Sequence, residues 1–66
     1  MNKYPVEIIR KDNIILWKER DMTYTVEDEE EGIVISNLTP TEGKYLYNEF
    51  LNAKRAGNTI KRTRLA

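Results

Sequence analysis

Leu38-Thr39-Pro40-Thr41-Glu42-Gly43-Lys44-Tyr45-Leu46 decides the fold. Thr39 is a side-chain acceptor that can cap free helical amides, and Pro40 suits the first helical position. Glu42, three residues after Thr39, can reach back to the cap amide. The segment therefore predicts a helix from Pro40 to about Ala56, with Leu38 just outside the cap, where a hydrophobic staple would begin. Leu46, Phe50 and Ala53 recur at helical spacing, and Tyr47 and Leu51 widen the apolar stripe. Lys54 and Arg55 fall in the last turn, where cations suit the helix dipole, and Gly57-Asn58 is a stop signal.

Everything before this helix reads as strand. Val6-Glu7-Ile8-Ile9-Arg10 is rich in β-branched residues, and Lys11-Asp12-Asn13 is a turn. Ile14 to Lys18 is a second strand, and Lys18-Glu19-Arg20-Asp21 a charged turn. Met22, Tyr24 and Val26 then alternate with Thr23 and Thr25 as a half-buried third strand. Asp28 to Gly32 is an acidic loop, and Ile33-Val34-Ile35-Ser36 a fourth strand. Such short connections predict an antiparallel meander.

The expected fold is thus α+β: one domain over residues 1–66, with an antiparallel sheet in 1–38, a helix in 39–57 and a basic tail in 58–66. The tail reads three ways, as a fifth strand, a frayed basic end or further helix; an extended segment anchored by Ile60 and Leu65 is the favoured form. Val6, Ile8, Leu16, Tyr24, Val26, Ile35, Leu46, Phe50 and Leu51 are the expected core. Ile14 and Leu16 face one way, and Ile15 and Trp17 the other. One helix covers one face, so the second face calls for curling, a homodimer or a partner.

Leu38-Thr39-Pro40-Thr41-Glu42 with Leu46 resembles the start of the first helix in response-regulator winged-helix effector domains, where a small antiparallel sheet also precedes the helix. Only 24 residues follow Glu42, too few for a recognition helix and wing, so no functional residue is carried over.

Composition excludes much chemistry. The 66 residues contain no Cys and no His, and Ser36 is the only serine. Disulfides, thiolate nucleophiles, the commonest metal ligands and an imidazole base are absent. The chain is read as a non-enzyme without cofactor, catalytic residue or metal site. The longest apolar run is Ile14-Ile15-Leu16-Trp17, far short of a membrane span, and a cytoplasmic location is expected.

Eleven basic and eleven acidic residues cancel, but they are segregated. Residues 21–31 hold six acids and no base; residues 54–66 hold five bases and no acid. Lys54, Arg55, Lys61, Arg62 and Arg64 are candidate contacts to nucleic-acid phosphates, with polar help from Asn58, Thr59 and Thr63 and stacking from Tyr45 or Tyr47. Glu27, Asp28, Glu29, Glu30 and Glu31, with Trp17, are candidate contacts to a protein partner. The acidic run echoes the first half of an EF-hand loop, but its twelfth position is Leu38 instead of a bidentate Glu, which rejects that motif. Two expectations follow with equal standing: a nucleic-acid-binding regulatory protein, or a protein-binding inhibitor or adaptor. A homo-oligomeric component, paired through the second sheet face, is the third. A short chain from Met1, rich in Ile, Lys, Asn and Glu, fits an accessory protein of a phage or mobile element.

Overall fold

The computed structural model describes residues 3–57. Four strands, β1 (Val6–Lys11), β2 (Ile14–Lys18), β3 (Tyr24–Asp28) and β4 (Ile33–Leu38), form one antiparallel sheet in the order β1-β2-β3-β4. The helix α1 (Pro40–Arg55) packs on one face of it. The α+β meander-plus-helix architecture stands as the sequence implies. The expectations for residues 58–66 lie outside the described residues.

The capping box is fully formed. Thr39 Oγ1 accepts from the Glu42 amide at 3.1 Å, and Glu42 Oε1 accepts from the Thr39 amide at 2.9 Å. The staple is not formed by this sequence, because the partner position of Leu38, four residues into the helix, is Gly43. Gly43 serves another purpose. A Cβ there would stand 2.7 Å from Tyr24 Cβ and 3.3 Å from Leu16 Cδ1. The missing side chain lets the helix settle directly on β2 and β3.

Register assigns the faces, since paired residues point the same way. Ile14, Leu16 and Val26 meet Tyr47 and Leu51 beneath the helix, with Ile9, Tyr24, Leu38, Leu46 and Phe50 packed around them. Three expected core residues are not core: Val6 is 38% exposed, Ile8 45%, and Ile35 is half-buried outside the packed cluster. Val6 and Ile8 sit on edge strand β1, where the register shifts at Ile8, and Ile35 sits on the other edge strand, β4. Ile14, Ile15 and Tyr47 take their place in the interior.

The third strand also starts later than alternation suggests. Met22 has φ 74° and belongs to the turn, which Met22 N–H closes onto Glu19 O and Glu19 N–H onto Thr23 O. Asp21 holds both the Thr23 amide, at 3.0 Å, and its hydroxyl, at 2.6 Å. The strand then runs on to Asp28. A second register shift falls on β4 after Ile35, where Asn37 takes φ 61°.

Candidate functional site

The sheet face away from the helix carries Glu7, Arg10, Ile15, Trp17, Thr25, Glu27 and Val34, as pairing and alternation require. Ile15 is fully buried there, flanked across the strands by Arg10 and Glu27. Long amphipathic side chains thus cover an apolar centre while their charged ends face water. Both partners of Ile15 are held sideways. Arg10 donates through Nη1 to Glu29 at 2.7 Å and through Nε to Glu7 at 3.2 Å. Hydrogen bonds to Glu29 and then Glu7 raise the Arg10 pKa further. Glu27 accepts from the Trp17 indole N–H at 3.0 Å, and Glu19 accepts from the Thr25 hydroxyl at 2.7 Å.

The structure therefore brings together Trp17, Glu27 and Glu29 of the expected protein-binding set. It adds Glu7, Glu19 and Arg10, which no local motif marks; only the β1–β2 register puts Glu7 opposite Trp17. Glu7 and Glu29 bond the Arg10 guanidinium, Glu27 bonds the Trp17 indole, and Glu19 bonds the Thr25 hydroxyl.

The other acidic residues do different work. Asp28 is buried on the helix side, where its carboxylate accepts from the amides of Glu30 and Glu31 and orders the turn. Gly32, at φ 71°, completes this turn, a backbone conformation that glycine adopts without strain. Glu31 is half-buried.

The basic candidates divide. Lys54 Nζ bonds Asp28 at 3.1 Å and Glu30 at 2.8 Å. Burial would lower the Lys54 pKa, but the hydrogen bonds to Glu30 and Asp28 outweigh it and raise it. Arg55 pairs with Asp12 at 3.2 Å, so both helix-end cations bind carboxylates of this chain. Lys61, Arg62 and Arg64 lie outside the described residues, as do Asn58, Thr59 and Thr63. Of the two stacking candidates, Tyr45 is exposed on the helix and Tyr47 is interior.

An open groove of about 450 Å³, lined by Glu19, Arg20, Asp21, Thr23, Ser36 and Asn37, lies at one end of the sheet. Hydrogen bonds from the Thr23 hydroxyl and then the Thr23 amide lower the Asp21 pKa by favouring its carboxylate form. Among the described residues no group of three or more carboxylates is placed to hold a metal ion, and no helix is long and apolar enough to cross a membrane.

No protein-family model, curated protein or solved structure matches the chain.

Proposed function

We propose that this chain is a non-enzymatic protein-binding module whose helix-free sheet face receives a basic, extended segment of a partner. The observation that carries the proposal is the constellation around Trp17. Its indole is half-buried and bonded to Glu27, Glu7 stands opposite it across β1 and β2, and Glu19 and Glu29 are bonded to Thr25 and Arg10 of the same face. Arg10, seated between Glu7 and Glu29, illustrates in cis how a partner's guanidinium would be received. A phosphate backbone would meet repulsion on this face. The engagement of Lys54 and Arg55 with Asp28, Glu30 and Asp12 takes two cations from the nucleic-acid reading and supports the adaptor reading over it. Cytoplasmic residence goes with the proposal, since a chain without cysteine needs no oxidising compartment to fold.

Trp17 is the only tryptophan, so its fluorescence reports on this face alone. Titration with an arginine-rich peptide should shift its emission saturably, and Glu27→Gln should weaken the response about tenfold, as loss of a charge-assisted contact implies. A short DNA duplex should leave the emission unchanged. Duplex binding lost on replacing Lys61, Arg62 and Arg64 with Ala, together with no response to peptide, would refute the proposal in favour of the basic C-terminal end.

A further inference from the structure

The two edges of the sheet are protected unequally. β1 carries Glu7, Arg10 and Lys11 and has its register shift near the strand's middle, at Ile8. Charges and bulges of this kind keep an edge from pairing with another chain. β4 reads Ile33-Val34-Ile35-Ser36-Asn37-Leu38 and has no charged residue. Its irregularity lies beyond Ile35, which leaves Ile33 to Ile35 as a regular, neutral edge that pairs with no further strand among the described residues.

Both faces of that edge are apolar. Val34 is 59% exposed on the helix-free face. Ile33 and Ile35 are half-buried on the helix side. The helix adds to the same flank. Arg55 reaches Asp12 in the β1–β2 turn, so its side of α1 faces β1. At 100° per residue, Leu46 and Phe50 lie on the opposite side, toward β4, and both are only half-buried. The β1 flank is thus closed by an ion pair, while the β4 flank is an incomplete apolar seam.

We infer that β4 pairs antiparallel with β4 of a second copy, giving a two-fold dimer with one continuous eight-stranded sheet. The occupant follows from the edge itself. An antiparallel strand paired with its own copy is self-complementary without any charge to specify a different partner. Keeping both helices on one face requires each residue to pair with one of equal parity. The regular stretch then places Val34 opposite Val34 of the copy and Ile33 opposite Ile35. In this arrangement Leu46 and Phe50 of each helix turn toward the joint and complete the seam. The joint borders the Trp17 face, because Val34 pairs across the strands with Glu27; the mass of the wild-type chain in the absence of any peptide therefore tests the joint by itself.

Sedimentation or light scattering of the full chain, from low micromolar to millimolar, should give twice the 7.8 kDa chain mass at high concentration, falling on dilution. Val34→Lys sets two ammonium groups against each other across the axis and should raise the dissociation constant about tenfold or more. Val34 is exposed, so the monomer should keep its circular dichroism. The chain has no cysteine, so Val34→Cys should form one symmetric disulfide under mild oxidation, whereas Glu7→Cys on β1 should not. A wild type that stays monomeric at millimolar concentration overturns the inference. So does a Val34→Lys protein that still dimerises, because the joint would then be elsewhere, or a dimer that crosslinks through Glu7→Cys and not through Val34→Cys.

Discussion

Gly43→Ala is the sharpest probe of how the helix meets the sheet. On helix propensity alone, alanine should stabilise α1 by about 1 kcal/mol. The structure reverses the sign. The new Cβ would lie 2.7 Å from Tyr24 Cβ, closer than two such carbons approach. Tyr24 Cβ is fixed to the β3 backbone, so rotamer changes cannot move it away. Leu16 Cδ1 and Tyr24 Cδ2, both at 3.3 Å, crowd the same space. Helix and sheet must separate by several tenths of an ångström, loosening the contact that buries Leu16, Tyr47 and Leu51. A clash with a backbone-fixed atom falls in the upper part of the overpacking range, about 2–3 kcal/mol, of which the propensity gain offsets about 1 kcal/mol. A net loss of about 1–2 kcal/mol would lower Tm by roughly 4–15 °C in a domain of this size. Urea unfolding followed by Trp17 fluorescence and far-ultraviolet dichroism measures it. Asn52→Ala, exposed on the same helix, is the control, and should gain a few tenths of a kcal/mol from propensity. A Gly43→Ala protein as stable as the wild type, or more so, would refute the close approach and the packing account built on it.

Three further outcomes follow from the same contacts. The Tyr47 hydroxyl is buried without a hydrogen-bond partner among the described residues, so Tyr47→Phe should stabilise by about 1 kcal/mol in urea melts; a loss of that size would reveal a bond the hydroxyl makes. Thr39→Ala removes half of the capping box and should cost about 1 kcal/mol, while Thr39→Ser should cost little; equal stability of all three proteins would count against the cap. Burial raises the Tyr47 pKa, and Lys54 is also raised, so both groups ionise or lose their proton first in the unfolded chain. Their contribution is complete below about pH 10 and is lost as pH rises through the folded values, so stability should fall on the alkaline side. Lys54→Met should flatten that fall, and an unchanged alkaline slope would rule out Lys54 as a source.

Local chemistry was legible where it acts within a few residues. Thr39, Pro40 and Glu42 specify the helix start because their bonds span three positions, and the β-branched runs at Val6, Ile14 and Ile33 specify strands in the same way. Met22 misled because alternation describes side chains, whereas the turn is set by Asp21 and Thr23 binding the backbone around it. Val6 and Ile8 misled because hydrophobicity does not say which strand lies at an edge.

The candidate site was less legible than the fold. Trp17 and Glu27 stand out in the sequence, but their hydrogen bond depends on β2 and β3 pairing in one register. Glu7, Arg10 and Glu19 join that surface only through strands distant in sequence. Lys54 and Arg55 look like free cations until the helix end is seated beside Asp28 and Asp12.

The sequence by itself determined the order of four strands and a helix, the capped boundary between them, and a chemistry without thiol or imidazole. These depend on residue type and on spacings of two to four positions. Tertiary structure alone decided which apolar residues became interior, which charges were consumed in pairs, which edge was left neutral, and why a glycine stands at position 43. Each of those depends on distances between segments, and such distances exist only once the chain has packed.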